Sequence, residues 1–231
     1  MAKVVFGQGV SEMRGSNAGT TFSRNRGGAY TRNRVTPTNP KSPAQNAVRN
    51  AMTLLSTAWG STLTQAQRDG WQALAEAFPT TDSLGAALTL TGLQLYMRQN
   101  SLLVRAGIAR VDAPPVNLDV VSLTTLSATV DVSDGTMALV FTPTPIGSTS
   151  RLQVFATPGI SPGVGYVKNK LRLIATTAAN VTSPQALAAA WQAVFGAFPV
   201  AGQKVIFEGR ILNTANGSAS SALQASTIVV A

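Results

Sequence analysis

Residues 126–142 read LSATVDVSDGTMALVFT, and this stretch decides the fold. Apolar and small polar side chains alternate on both sides of Asp134-Gly135. That dipeptide suits a tight hairpin, because Gly accepts the positive φ that the turn needs. The period of two predicts strands over Leu126–Ser133 and Thr136–Thr142. Further along, Arg151–Ala156 and Lys170–Thr177 also read as strands. Gln203–Asn213 and Ala222–Val230 read as a last antiparallel pair, joined across Asn216-Gly217. Between them Ser183-Pro184 opens a predicted helix running through Ala197, with Leu187, Ala190, Trp191, Val194, Phe195 and Phe198 inward. Six or seven short strands in about 115 residues predict an antiparallel β-sandwich of the immunoglobulin or fibronectin III kind with one inserted helix.

Upstream, Ala113-Pro114-Pro115 reads as a linker, and before it the apolar period is helical. Ser42 as N-cap and Pro43 at the first helical position start one helix. Ala44, Ala47, Val48, Ala51, Leu54, Leu55, Ala58 and Trp59 follow at helical spacing, and Gly60 is the stop. Thr64 and Gln67 make a capping box for a second helix, with Trp71, Leu74, Ala75 and Phe78 on its apolar face and Pro79 closing it. Residues 80–90 read as a loop, with a short strand at Ala86–Leu90. Thr91 caps a third helix that runs to about Ala106, stopped by Gly107. Its face is Leu93, Tyr96, Met97, Leu103 and Val104, while Leu95 and Leu102 lie off that face, so cover is expected on two sides. The fold class is α+β: an extended basic arm over 1–41, a small helical bundle over 42–112 and the sandwich over 113–231.

The arm carries the charge. Thr21–Pro43, TFSRNRGGAYTRNRVTPTNPKSP, holds Arg24, Arg26, Arg32, Arg34 and Lys41 and no acid. Residues 1–50 carry eight basic residues and one acid, a net of +7, out of +9 for the chain. The body that remains is poor in charge, since only 12% of all residues are charged against about a quarter in ordinary proteins. Such a surface suits a homo-oligomer or a subunit present in many copies in a symmetric assembly. Residues 1–20, with Gly7, Gly9, Gly15 and Gly19, predict extended or irregular chain. Thr20–Arg24 and Ala29–Arg34 predict a short hairpin across Asn25–Gly28, with Phe22 and Tyr30 as its anchors. Alternation places Arg24 with Arg26 on a face, and Arg32 with Arg34. Pro37 and Pro40 then keep the chain extended, and an extended arm of some forty residues reaches about 130 Å. A ribbon of this kind is marginal alone in water, so it is expected to be ordered by what it docks on. Arg24, Arg26, Tyr30, Arg32 and Arg34 are the candidate assembly contacts. Guanidinium groups pair with carboxylates or phosphates. The shaped path set by Gly and Pro favours a protein surface, and nucleic-acid contact, where it occurs, is expected to be non-specific and salt-sensitive.

The chain holds no Cys and no His, which excludes disulfides, thiol nucleophiles, thiolate or imidazole metal sites and histidine acid–base catalysis. Gly163-Val164-Gly165 lacks the third glycine of a dinucleotide loop, since Lys168 stands there. Gly15-Ser16-Asn17-Ala18-Gly19 is no nucleophile elbow, because its Ser is displaced by one place. Asp131 and Asp134 beside Gly135 read as a turn rather than a Ca²⁺ loop. No catalytic, cofactor or metal site is expected, and the chain reads as a non-enzyme. No secretory signal follows Lys3, and Ala186–Ala201 is too weakly apolar to span a bilayer, so no membrane partner is expected.

The residues Ser23-Arg24-Asn25-Arg26-Gly27-Gly28-Ala29-Tyr30-Thr31-Arg32-Asn33-Arg34, then Thr36-Pro37-Thr38-Asn39-Pro40, form a specific pattern. Leu63–Trp71, LTQAQRDGW, and Leu90–Tyr96, LTGLQLY, follow it in order. Together they resemble a group of structural or hypothetical proteins of tailed bacteriophages and prophages, over about residues 15–107. The resemblance implies a virion component made in the bacterial host cytoplasm, with other virion proteins (major capsid, portal or tail subunits) as partners. It implies no catalytic residues. The expected role is capsid decoration or cement. The alternatives are a tail, baseplate or head–tail connector component, or a non-specific DNA-associated packaging protein.

Overall fold

Residues 2–25, 28–81 and 87–231 are described by a computed structural model, which is α+β, with four helices and several antiparallel sheets among those residues. The chain divides into two compact units, Met1–Asn46 and Ala47–Ala231. In the first, β1 (Ala2–Lys3), β2 (Gly15–Asn17), β3 (Thr20–Asn25) and β4 (Gly28–Asn33) form one antiparallel sheet in the order β1-β4-β3-β2. The predicted hairpin is present as β3–β4; Arg26 and Gly27 of its turn lie outside the described residues. Residues 4–14 contain no helix or strand, while the extended segments Ala2–Lys3 and Gly15–Asn17 fold back onto the two sides of that hairpin, a pairing the residue pattern did not announce. A two-residue turn makes the second return: Asn17 pairs with Thr20, and Ala18 between them takes φ 49°. Alanine costs about 1 kcal/mol in that left-handed conformation. Gly or Asn ordinarily takes the first place of such a turn, which Ala18 holds here ahead of Gly19. From Arg34 to Ser42 the chain has no regular structure.

Helix α1 (Pro43–Ser61) starts where Ser42 Oγ accepts from the Gln45 N–H at 3.3 Å and Gln45 Oε1 accepts from the Ser42 N–H at 3.3 Å. It ends on Arg68, whose guanidinium donates to the carbonyls of Trp59, Gly60 and Leu63 at 2.9, 3.0 and 2.9 Å. The first two are among the acceptors a helix C-terminus leaves open, and the third lies just past the helix end. Helices α2 (Gln65–Ala77) and α3 (Gly92–Arg105) begin at the predicted caps, Thr64 in its box with Gln67 and Thr91, which forms a second box with Gln94. Leu55, Ala58, Trp71, Leu74, Leu95 and Tyr96 form one buried cluster, and the Trp59 and Trp71 rings each lie 5.4 Å from that of Tyr96. The expected face of α1 is corrected at its start, since Ala44, Ala47, Val48 and Leu54 are exposed and only Ala51, Leu55 and Ala58 are buried. With 13 and 14 residues against the 19 of α1, α2 and α3 are too short to cover its whole length. Between them β5 (Thr80–Thr81) pairs with β6 (Ala87–Leu88); Ala86 of the predicted strand lies outside the described residues.

The C-terminal half contains β7 (Thr125–Asp131), β8 (Thr136–Thr142), β9 (Ser150–Ala156), β10 (Arg172–Thr176), β11 (Gln185–Ala186), α4 (Ala188–Phe195), β12 (Lys204–Asn213) and β13 (Leu223–Ile228). One sheet has the order β11-β8-β7 and the other β10-β9-β12-β13. Period-two alternation sends Met137, Leu139 and Phe141, then Leu152, Val154 and Ala156, then Val205, Phe207 and Ile211 into one core with Trp191 of α4. The predicted helix start at Ser183-Pro184 is corrected. Gln185 and Ala186 pair with Leu139 and Ala138, and the helix begins at Ala188. Strand β8 needs partners on that side. Ser183 Oγ accepts from the Phe141 N–H at 3.0 Å, and the Leu187 N–H donates to the Met137 carbonyl at 2.8 Å.

The helices and the sheets sit within the same compact unit, and the Pro-rich connection between them is fastened along its length. Asn100 Oδ1 accepts from the Val111 N–H at 2.6 Å and its Nδ2 donates back to the Val111 carbonyl at 3.1 Å. Trp71 Nε1 donates to the Asp112 carbonyl at 2.9 Å. Asn213 and Asn216 both donate to the Asp119 carbonyl, at 3.0 and 2.9 Å. Gln99 Nε2 donates to Ser218 Oγ at 3.3 Å. Helix α3 thus meets the helical cluster through Leu95 and Tyr96 and the Gly217-Ser218 turn through polar Gln99.

Candidate assembly surface

The N-terminal sheet has two unlike faces, set by strand register. Phe22 pairs with Thr31, Ser23 with Tyr30, Arg24 with Ala29 and Thr21 with Arg32. Directly paired residues share a face, so Phe22, Arg24, Ala29 and Thr31 lie on one side. Val4 joins them, its N–H bonded to the Ala29 carbonyl at 3.1 Å. Thr21, Ser23, Tyr30 and Arg32 lie on the other, with Lys3 opposite Tyr30. Ser16 Oγ and Thr21 Oγ1 meet there at 3.0 Å. Arg34 continues the alternation beyond β4, its N–H donating to the Gly19 carbonyl at 2.8 Å. One face is thus apolar with Arg24 at its end, and the other is cationic around Tyr30.

Of the predicted contact residues, the structure groups Tyr30, Arg32 and Arg34 and places Arg24 on the opposite face. Arg26 lies outside the described residues, so its pairing with Arg24 does too. Phe22 and Tyr30, expected as joint anchors, are on opposite faces. Glu12, the one acid among residues 1–50, takes Arg14 at 3.0 Å and reaches Arg24 at 3.9 Å. Arg32 and Arg34 form no ion pair among the described residues. Glu12 as a clamp was not legible, because only the return of β2 brings that part of the chain to β3.

No described residue from 3 to 46 is buried. Val5 is 96% exposed and Val35 78%. A small sheet needs a covered apolar face for stability of its own, and within its unit this one has none. The arrangement presents cationic side chains beside an apolar strip. Elsewhere, the Asp131 carboxylate accepts from the Ser133 hydroxyl at 2.7 Å and from the Ser133 and Asp134 N–H groups at 2.9 and 3.4 Å. The Ser133 hydroxyl, then the Asp134 amide, hold its pKa below the usual carboxylate value. This carboxylate is engaged in a turn, as its sequence suggests. Among the described residues no three His, Cys, Asp or Glu side chains gather as a metal site, and no helix is long and apolar enough to cross a membrane.

No family model and no curated protein matches this chain. Among solved structures, the crystal structure of an Fn3-like protein from Clostridium thermocellum is similar over 48% of this chain and 94% of its own, with 19% identity and a TM-score of 0.29.

Proposed function

We propose that this chain is a non-enzymatic structural subunit of a tailed-phage particle, a capsid decoration or cement protein that attaches through its N-terminal sheet. The observation that carries the proposal is that sheet: cationic, bearing Arg on both faces and without a buried residue among those described. A partner surface supplies the cover that the sheet lacks. Arg24 on one face and Arg32 and Arg34 on the other suit insertion between two protein surfaces better than one-sided contact with a phosphate backbone. The virion setting rests on the arm and helix patterns described for the sequence. Supporting a fibronectin III-like sandwich in the C-terminal half is the order β9-β12-β13, which corresponds to the C-F-G order of immunoglobulin-like sheets, with β10 beside β9 in the C′ place.

Deleting residues 1–41 tests the proposal. The remaining chain keeps every buried side chain described, so it is expected to fold cooperatively and to be absent from purified particles. Normal incorporation of the truncated chain would sink the docking role. Counting copies per particle by mass spectrometry separates the positions: on the order of hundreds for decoration, about six or twelve for a connector or baseplate part. Duplex binding that falls steeply with salt would move the reading to DNA packaging.

A further inference from the structure

A cleft of about 450 Å³ lies where α3 faces the outer side of β12. Alternation along β12 sends Val205, Phe207 and Ile211 to the core and leaves Arg210 outside. Arg210 Nε donates to Gln153 Oε1 at 2.9 Å, and its Cζ sits over the Phe155 ring, 4.9 Å from the centroid. Those contacts orient the planar group but use only one of its five N–H donors. Its terminal nitrogens have no hydrogen-bond partner among the described residues, and since no buried side-chain nitrogen there is unsatisfied, they are open to solvent. Arg98 of α3 lines the same cleft, and neither guanidinium forms an ion pair among the described residues.

Among the described residues no acid lines the cleft. Glu208, the next outward residue of β12, accepts from Gln224 Nε2 at 2.8 Å. Burial, followed by the charge of nearby Arg105, lowers the pKa of Arg210, and the charge of Glu208 offsets part of that shift. The apolar wall is Leu95, Leu102 and Val120. Buried Ser218 accepts from Gln99 and keeps its own O–H to donate. The volume falls within the range of small-molecule sites, roughly 300–1,000 Å³.

We infer that this cleft binds a small organic acid, its carboxylate held by Arg210 and Arg98 and its apolar body against Leu95, Leu102 and Val120. The two terminal nitrogens of a fixed guanidinium match the two oxygens of a carboxylate. Phosphate, with no apolar part, would leave that wall without a partner.

Sodium benzoate, with inorganic phosphate as the comparison, is titrated into the full chain and followed by backbone amide NMR. The expected result is saturable shifts at Gln99, Ser218 and Ser220 with benzoate, and affinity lower by about tenfold or more in Arg210→Met. Met keeps an apolar contact with Phe155, and an unchanged urea midpoint shows that the fold is kept. Arg98→Met, at an exposed site, weakens binding in the same direction and carries the test should Arg210→Met not fold. The inference is overturned if benzoate gives no saturable shift at these residues. It is equally overturned if phosphate binds there as tightly, or if the variant that folds binds as the parent does.

Discussion

Single residues decide how the helices meet the sheets. Gly217 takes φ 73°, and a Cβ on it would lie 2.6 Å from the Gln99 carbonyl oxygen. Both the backbone conformation and the space exclude a side chain. Gly217→Ala is expected to lower stability by about 2 kcal/mol or more, read from the urea midpoint. Tyr96 is set apart by its surroundings. Burial, reinforced by the Asp112 carboxylate that its hydroxyl meets at 3.3 Å, pushes its phenol up from 10.0 to about 12. The folded state then holds this proton more tightly than the unfolded chain does, so the contribution is full below pH 10 and is lost as the pH rises towards 12. Tyr96→Phe should therefore show a shallower fall of the urea midpoint across that alkaline window. An identical pH dependence in the variant would refute the link. Asn216-Gly217 was readable as a turn, but the contact with α3 was not, because nothing local tells a turn what it will lie against.

At the scale of elements, caps were legible and register was not. Thr64 with Gln67 and Thr91 with Gln94 announce α2 and α3 because a capping box is complete within four residues. The hairpin at Asp134-Gly135 is visible for the same reason. By contrast, which face Arg24 or Tyr30 occupies follows from pairing across the sheet, and one residue of slip exchanges the faces. This gives a test of the two-sided insertion proposed for the N-terminal sheet. Arg24→Glu and Arg32→Glu, on opposite faces, should each reduce incorporation into particles, while the folded body keeps its thermal midpoint within a degree or two, since surface substitutions cost within about 0.5 kcal/mol. Loss on one face alone would mean that only that face is covered.

For the body of the molecule, the helices and sheets of residues 47–231 are one compact unit. Asn100, Asn213 and Asn216 fasten the connection between them by bonds to Val111 and Asp119. A chain so tied should unfold in one step. Trp71 reports the helical cluster and Trp191 the core of the sheets. With the other tryptophans replaced by Phe, the two probes are expected to give coincident urea transitions. Separate midpoints would show the Pro-rich connection to be a true boundary.

The pattern of residues by itself determined the α+β class, the starts of the first three helices, most of the strands, the concentration of charge before residue 50 and the exclusion of Cys and His chemistry. All of these depend on composition or on neighbours a few residues apart. Tertiary structure alone decided the return of β1 and β2 onto the hairpin, the opposite faces of Arg24 and Arg32, the strand at Gln185-Ala186 and the cleft that Arg210 and Arg98 line together. Each is a meeting of segments far apart in the chain, chosen by which backbone groups needed partners and which apolar faces needed cover.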